Sequence, residues 1–419
     1  MDHFEYRGGE LFAEDVPLAR IAAEVGTPVY VYSRATLERH ARVFQDAVVQ
    51  AGDTEVAYAL KANPNLAVVR VLARMGMGAD VVSAGELDRA LAGGMAAARI
   101  VFSGVGKTDG EMAHALDKQI GQFNIESEEE GRDLAMLAAA RGLRAPATLR
   151  VNPDVDAGTH AKISTGKAEN KFGVAISDAA AIYARLAALP GLDLRGVAIH
   201  IGSQIFDLGP LEAAFARVGI LVAELRAAGQ TVTHVDLGGG LGIAYRPDDA
   251  PRHPDDYGRM VAHVTQGWNV KLMFEPGRLI AGNAGVLLTR VIRVKPGATH
   301  PFVVVDAAMN DLARPALYDA YHHFAPVVDT GQTMIANIVG PVCESGDTFA
   351  TARECGVVGK GDLAVFRTAG AYGATMASMY NSRAMVPEVL VDGDRYAVVA
   401  DRLPPQATIA AERIPDWLD

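Results

Sequence analysis

The chain has 419 residues, of which 50% are hydrophobic and 21% are charged, so it can bury a core and does not have the composition of a disordered chain. Its charge is 39 − 50 = −11 with no block rich in Lys or Arg, so we expect neither a nucleic-acid partner nor binding to an anionic membrane surface. The two cysteines, Cys343 and Cys355, are too few for a disulfide framework or a four-thiolate metal site, and we expect no bound metal.

The first twenty residues are polar and acidic, unlike a secretory or transit peptide. No run of ~18 uncharged apolar residues follows, so no membrane span is expected. These features predict a cytoplasmic protein. The apolar run at 28–33 predicts a strand that precedes the regular part of the chain and could pair with strands near the C-terminus.

From residue 54 to residue 277, short apolar runs alternate with amphipathic stretches rich in Ala and Leu. The predicted strands are at 55–62, 78–83, 99–104, 122–127, 147–153, 194–202, 234–240 and 270–277, and helices are predicted between them, for example at 65–75, 86–94 and 211–229. This alternation predicts a parallel sheet. Eight repeats favour a closed (β/α)8 barrel of the TIM type; the alternative is an open sheet with miscounted strands.

Past about residue 283 the helical patterns give way to strand-like segments at 284–295, 301–309, 333–342, 362–368 and 395–401, some of them separated by Gly and Asp turns. The predicted fold class is therefore α/β, with a (β/α)8 barrel at 34–278 and a mostly β domain formed by 1–33 and 279–419. The polar segment 154–171 has no periodicity, and a long loop at the catalytic face of a barrel is best interpreted as a lid.

The active site of a barrel lies at the carboxyl ends of its strands. The polar or glycine residues predicted there are Lys61, Asp80, Ser103, Glu126, Arg150, His200, Gly238–Gly240 and Glu275. Lys61 lies in an apolar stretch, and a lysine whose pKa is lowered by burial suits Schiff-base chemistry. The alternative is a lysine that reaches solvent or pairs with a carboxylate such as Asp80.

Three consecutive glycines, Gly238–Gly240, let backbone N–H groups approach an anion closely, and barrels often bind phosphate after strands seven and eight. A dinucleotide fingerprint is excluded because its third glycine would fall at Ile243, and GVGKT at 104–108 lacks the first glycine of a P-loop. A tight turn without a ligand is the alternative.

His200 could stack on a flat ring, exchange protons or be a core histidine. Glu275 could bind a pyridinium nitrogen or pair with Arg278. A lysine for a Schiff base, a phosphate cradle, a stacking histidine and a carboxylate for a ring nitrogen together point to one cofactor, pyridoxal 5′-phosphate (PLP).

The chain also resembles the diaminopimelate decarboxylases, a branch of the alanine-racemase-like PLP decarboxylases that include ornithine decarboxylase. The matching motifs, which cover nearly the whole chain, are YALKANPN (58–65), GADVVSAGE (78–86), THAKISTGKAENKFG (159–173), HIGSQ (200–204), LGGGLGI (237–243), EPGR (275–278), CESGD (343–347) and GAYGATMASMYNSR (370–383). The resemblance implies a PLP barrel, a C-terminal β domain joined by the first residues, and a head-to-tail homodimer with shared active sites. It also implies α-decarboxylation of meso-2,6-diaminopimelate to L-lysine and CO2, the last step of lysine biosynthesis.

The resemblance implies three catalytic residues: Lys61 for the Schiff base, His200 stacked on the ring, and Cys343 as proton donor. The other cofactor-binding positions it implies are Asp80, Arg150, Ser203, Gly239, Gly240, Glu275, Gly277, Arg278 and Tyr372, of which Glu275 pairs with the ring nitrogen and Ser203, Gly239, Gly240 and Tyr372 hold the phosphate. The substrate-binding positions it implies are Arg278, Arg314 and Tyr318 for the distal carboxylate, Glu344 for the distal ammonium, and Tyr372. Cys343 and Glu344 would come from the partner subunit.

The residue types agree with such a substrate, because arginine binds a carboxylate with two hydrogen bonds and ornithine or lysine has no distal carboxylate. Domain-interface ion pairs are the alternative for Arg278 and Arg314, and a small buried hydrophobe is the alternative for Cys343. Cys355 has no motif around it. The rival functions are an ornithine, lysine or arginine decarboxylase, a carrier-linked decarboxylase, and a PLP-binding regulator without activity.

Overall fold

The computed structural model describes residues 2–156 and 171–418. Its strands, in chain order, are β1 Phe4–Arg7, β2 Glu10–Ala13, β3 Val16–Pro17, β4 Val29–Ser33, β5 Thr54–Ala59, β6 Gly78–Val81, β7 Ile100–Phe102, β8 Gln122–Ile125, β9 Ala145–Asn152, β10 Val174–Ala175, β11 Leu192–Ala198, β12 His234–Asp236, β13 Lys271–Phe274, β14 Gly285–Lys295, β15 Phe302–Val305, β16 Phe324–Pro326, β17 Thr333–Val339, β18 Thr348–Gly356, β19 Leu363–Phe366, β20 Glu388–Asp392 and β21 Arg395–Ala400. Its helices are α1 Leu18–Glu24, α2 Arg34–Val48, α3 Leu66–Arg74, α4 Ala84–Gly93, α5 Asp109–Asp117, α6 Glu128–Ala139, α7 Ile176–Ala187, α8 Gly209–Ala227, α9 Pro254–Val264, α10 Arg278–Ala281, α11 Arg314–Tyr318 and α12 Gln406–Ile409.

Eight parallel strands of the described residues form a closed barrel. Their order around the barrel is β9, β11, β12, β13, β5, β6, β7 and β8, and pairing of β8 with β9 closes the ring. The predicted barrel is therefore confirmed, and the open-sheet alternative is wrong. Short β10 pairs with β9 outside this ring.

Several helices that follow barrel strands begin at a side-chain cap that the sequence supplies. The hydroxyl of Ser83 accepts the first-turn N–H of Glu86 at the start of α4, and Ser127 does the same at the start of α6. Thr108 and Glu111 form a reciprocal capping box at the start of α5. Each cap satisfies N–H groups that have no partner within the helix, which fixes where the chain turns from strand to helix.

The remaining strands build the mostly β part of the predicted fold class, which is also confirmed. One sheet runs in the order β18, β17, β15, β14, β4, β20, β21, and β19 pairs with both β14 and β16. The early strand β4 is antiparallel to β14 and parallel to β20. Its valines, Val29 and Val31, pack in a core with Leu288 and Val389. β1, β2 and β3 form a small sheet of their own.

The chain divides into two compact units. One contains Met1–Leu37, Tyr245–Pro247 and Ala281–Asp419, and the other contains Glu38–Ala244 and Asp248–Ile280. The predicted lid falls largely on 157–170, which lie outside the described residues. Among the helices of the described ranges, none combines the length and the apolarity needed to cross a bilayer.

Candidate active site

Lys61 lies at the carboxyl end of β5, but not inside the strand as predicted. It occupies a short 3-10 turn, Leu60–Ala62, that directly follows β5, and its side chain is 39% exposed. The strand ends at Ala59, because the chain turns there to reach α3. The amine is therefore accessible from the mouth of the barrel, and the prediction that it is buried in apolar surroundings is wrong.

The Lys61 amine donates a hydrogen bond to Asp80, the last residue but one of the neighbouring strand β6. The distance from Nζ to Oδ2 is 2.9 Å, and the Asp80 side chain is fully buried. The other oxygen, Oδ1, is buried and accepts no hydrogen bond in the described parts of the chain. A buried acceptor without a donor is costly, so this site offers a place for a group that can donate one.

Glu275 follows β13 and points into a polar network inside the barrel. Its Oε1 lies 3.2 Å from the amide nitrogen of Asn124 and 3.4 Å from the hydroxyl of Ser103. Asp236, at the end of β12, is a further partner. The alternative ion pair of Glu275 with Arg278 does not occur among the described residues. Burial and then the charge of Asp236 raise the pKa of Glu275 well above its usual range.

The three glycines after β12 have no room for side chains. A Cβ on Gly238 would lie 2.4 Å from the carbonyl oxygen of Ile199, and one on Gly239 would lie 2.3 Å from that of Glu275. Gly240 has a φ of +119° and would bring a Cβ within 2.5 Å of the carbonyl oxygen of Gly202. Close backbone approach therefore requires glycine here, whether or not a ligand is bound.

His200 is adjacent to this loop and is held as a neutral imidazole. The N–H of Gly239 donates to His200 Nδ1 over 3.3 Å, so Nδ1 carries no proton and the proton is on Nε2. Burial, followed by the charges of Arg150 and Lys61, holds the pKa of His200 well below its usual range. A neutral ring at the barrel mouth is suited to stacking against another flat ring.

Two more predicted residues meet near the glycine loop. The Nε and Nη2 atoms of buried Arg278 lie 3.4 and 3.3 Å from the hydroxyl of Ser203. A cation and a hydroxyl side by side are typical of an anion-binding site. Gly277, just before Arg278, packs so tightly that a Cβ would lie 3.0 Å from the Cβ of Ala59, which ends β5.

Arg150 is fixed by a partner to which the sequence assigned no role. Its Nη1 lies 2.7 Å from Oε1 of Glu126, and both side chains are buried. Glu126 also accepts the N–H groups of Gly104 and Gly173. The guanidinium of Arg150 lies 4.8 Å from the ring centre of Phe172. Glu126 thus ties three parts of the barrel mouth to one arginine.

In the other compact unit, Arg314 begins α11 and is buried. Its guanidinium lies 4.6 Å from the ring centre of Tyr245, and its Nη1 lies 2.9 Å from Nε2 of His322. The Nδ1 of His322 lies 3.0 Å from the carbonyl oxygen of Arg367. A carbonyl can only accept, so His322 donates from Nδ1 and accepts from Arg314 at Nε2. Tyr318, at the end of α11, is partly exposed.

Cys343 and Glu344 are exposed, so the interpretation of Cys343 as a buried hydrophobe is wrong; the buried cysteine is Cys355. A hydrogen bond to Glu344 raises the pKa of Tyr380.

Tyr372 is partly buried and has a φ of +56°, an uncommon conformation for a residue with a side chain. Such strain is often found at functional sites.

Four residues that partner candidate site residues within one unit or the other could not be selected from strand ends alone. They are Asn124, Asp236, Tyr245 and His322. The signal for Asn124 and Asp236 was present, because polar residues inside an apolar strand are unusual and need partners. Tyr245 and His322 are far apart in the chain and come together only in the folded unit.

The barrel residues fit PLP chemically. Lys61 supplies an amine for an aldehyde, Asp80 a buried acceptor, Glu275 a buried carboxyl for a ring nitrogen, and Ser203 with Arg278 a site for a phosphate.

Comparison with known proteins agrees with this chemistry. Residues 34–282 match the family model described as the pyridoxal binding domain of pyridoxal-dependent decarboxylases. The chain is 52% identical to a diaminopimelate decarboxylase of Zymomonas mobilis over 419 residues, which is 99% of each protein. It is 52% identical to that of Pseudomonas fluorescens over 398 residues, which is 94% of this chain and 95% of the relative. The crystal structure of diaminopimelate decarboxylase from M. jannaschii in co-complex with L-lysine has a TM-score of 0.96 at 34% identity, covering 100% of this chain and 99% of that one.

A family match over more than half of its length makes the chain a pyridoxal-dependent decarboxylase, with PLP as its cofactor. Because the chain is 52% identical to two diaminopimelate decarboxylases over 94% or more of its length, it belongs to the diaminopimelate decarboxylase family.

Proposed function

We propose that this chain is a cytoplasmic enzyme that removes CO2 from the D-centre of meso-2,6-diaminopimelate and releases L-lysine, the last step of lysine biosynthesis. The observation that carries the proposal is that one barrel holds both an accessible lysine amine, which is bonded to Asp80, and the buried carboxyl of Glu275 in its polar network. Relatives of 52% identity bear the name of this activity.

The barrel side chains would hold the cofactor as follows. Lys61 would bind its aldehyde carbon, Glu275 its ring nitrogen, and Ser203 with Arg278 its phosphate. When bound, PLP supplies an electron sink for the bond that breaks at Cα. The neutral ring of His200 is suited to cover one ring face without adding a charge, and the glycine loop lets backbone N–H groups approach the phosphate.

Arg314 would select the substrate by binding its distal carboxylate. Its guanidinium is held between the ring of Tyr245 and Nε2 of His322, so its position is set before any ligand arrives. Tyr318 and Tyr372 would add contacts to the same substrate. A diamine-forming decarboxylase has a substrate with a cationic tail, against which a buried arginine would be unfavourable.

The final proton transfer and the ammonium contact would come from a partner subunit. Cys343 would donate a proton to Cα, and Glu344 would bind the distal ammonium. Both residues are exposed in the single chain, as a contribution to a neighbouring subunit requires. The proposed assembly is therefore a homodimer with shared active sites.

An assay of substrate choice tests the proposal. The purified chain with PLP is offered meso-, LL- and DD-diaminopimelate, ornithine, lysine and arginine separately, while CO2 and the amine product are measured. We expect CO2 and L-lysine from the meso isomer alone. Cadaverine from lysine, or putrescine from ornithine, at a comparable rate would assign the chain to the diamine-forming branch instead.

An Arg314→Met variant should lose turnover of meso-diaminopimelate while keeping PLP bound. An Arg290→Met variant is the matched control, because Arg290 lies on β14 and donates to the backbone carbonyl of Gly361. Equal turnover in both variants would remove Arg314 from substrate recognition.

A further inference from the structure

Two buried carboxyls lie side by side inside the barrel. Asp236 is the last residue of β12, and Glu275 directly follows β13, its parallel neighbour, in which Met273 is the register partner of Asp236. Asp236 is 1% exposed and Glu275 is 9% exposed. Two carboxyls in one buried space cannot both be ionised without a large energetic cost.

The hydrogen-bond donors around Asp236 favour its ionised form. The N–H of Gly238 donates to Oδ1 over 2.9 Å, and the amide of Asn124 donates to Oδ2 over 3.0 Å. The amide of Gln122 lies 3.5 Å from the same Oδ2. Both oxygens of Asp236 therefore have a short, fixed donor.

Glu275 has weaker donors. Its Oε1 shares the amide of Asn124 at 3.2 Å and meets the hydroxyl of Ser103 at 3.4 Å. Its remaining partner is Asp236, a second carboxyl. Two carboxyls can hydrogen-bond to each other only through a proton, and the donors place the negative charge on Asp236, so the proton belongs to Glu275.

The orientation of Asn124 supports this division. Its carbonyl oxygen accepts from the Gln122 amide over 2.8 Å and from the Thr148 hydroxyl over 2.6 Å. Its NH2 group must then face the two carboxyls. The NH2 group of Asn124 lies 3.0 Å from Asp236, 3.2 Å from Glu275 and 3.0 Å from the hydroxyl of Ser103, so it is a donor to this network.

Two of the three surrounding charges act in the same direction. The charged groups that face Glu275 are Asp236 from β12, Asp80 from β6 and Lys61 after β5. Lys61 is bonded to Asp80, so the negative charge of Asp80 partly cancels the effect of the Lys61 ammonium on the two carboxyls. Burial first, and these two acidic groups next, oppose ionisation of Glu275.

We infer that Glu275 carries a proton shared with Asp236 until the cofactor binds, and that Asp236 is the positioning residue that keeps it there. With the cofactor bound, Glu275 would give this proton to the ring nitrogen: its O–H bond would break as an N–H bond forms. Glu275 would then be a carboxylate, and Asp236 would stay ionised on its donors. No other reactant takes part. The inference rests on the proposed function only in assigning Glu275 to the ring nitrogen.

Infrared spectroscopy of the full chain at pH 8, with and without PLP, tests the inference. At this pH exposed carboxyls are ionised, so a carbonyl band of a protonated carboxyl reports a buried acid. We expect one such band without PLP and its loss when PLP binds. The band should remain when 1-deazapyridoxal 5′-phosphate, which has carbon in place of the ring nitrogen, is bound instead.

Variants identify the two partners. Glu275→Gln and Asp236→Asn should each lack the band, and Asp193→Asn should keep it, because Asp193 pairs with Arg195 away from the network. Absence of the band from the unmodified chain, its survival in Asp236→Asn, or its survival with PLP bound would each overturn the inference. The measurement on the unmodified chain stands even if the Asp236→Asn protein does not fold.

The infrared measurement and the substrate assay test different statements and can fail independently. If meso-diaminopimelate is decarboxylated but the band is absent, the shared proton is wrong and the substrate assignment stands. If the band behaves as expected but another amino acid is the substrate, the substrate assignment is wrong and the shared proton stands.

Discussion

At the scale of single residues, Lys61 combines two properties that are seldom found together. Its amine is accessible, yet its position is set by a hydrogen bond to a fully buried carboxylate. An amine that must exchange one covalent partner for another during each turnover needs both properties.

Lys61→Ala should therefore abolish both turnover and the visible absorbance that arises when PLP is bound through a lysine. Spectra of the protein with PLP, recorded beside an activity assay, measure both effects. Lys271→Ala is the matched control, since Lys271 begins β13 at the opposite end of the barrel and pairs with Glu55. An unaltered spectrum in Lys61→Ala would remove this lysine from the site.

His322 should control how well Arg314 recognises substrate. His322→Leu removes the acceptor at 2.9 Å from the guanidinium, so we expect the Michaelis constant for diaminopimelate to rise by about tenfold, or ~1.4 kcal/mol. His322→Gln keeps an acceptor and should recover much of the loss. If both variants bind substrate equally poorly, the role of His322 is only structural.

The sequence predicted which strand ends carry chemistry, but not how their side chains are partnered. Lys61 and Glu275 were found because each is a charged residue at the end of an apolar run. Asp236 was missed because the predicted strand extended past it to residue 240. Its partner, Asn124 on β8, lies far away in the sequence, so the sequence of β12 alone does not indicate their contact. Such contacts depend on barrel closure and not on local composition.

At the scale of elements, the barrel strands were predicted well and the β unit less so. Barrel strands are buried on both faces and read as apolar runs. By contrast, β18 was missed: its sequence, TFATARECG, is mixed in polarity because part of the strand is exposed. It is held by a long antiparallel pairing with β17, and pairing partners are not visible in a single segment.

Gly239→Ala should disrupt the glycine loop as an element. The new Cβ would meet the carbonyl oxygen of Glu275 at 2.3 Å, so the loop or the end of β13 must move. We expect a loss of about 1–3 kcal/mol of stability and weaker PLP binding, measured by thermal unfolding and by titration with the cofactor. Gly106→Ala is the control, because a Cβ there meets nothing within 4 Å. Equal behaviour of the two variants would show that the loop tolerates a side chain.

At the scale of the whole molecule, the proposed shared active site would make the two subunits of a dimer complementary. Mixing Lys61→Ala and Cys343→Ala chains, each inactive alone, should restore about a quarter of the activity, since half of the dimers are mixed and each has one intact site. Activity is measured after subunit exchange has been verified by mass tags. No recovery after verified exchange would contradict a site built from two subunits.

The pairing of β4 also has a consequence for how the protein is made. This strand is synthesised before the barrel strands, but its neighbours are β14 and β20, and the latter ends only at Asp392. All eight barrel strands are synthesised after β4 and before β14 and β20, so the barrel can close while the edges of β4 are still unpaired. Unpaired strands of this kind are prone to join other chains, and long-range pairing is slow. Exposure of these unpaired edges therefore lasts until the residues of β14 and β20 have been synthesised.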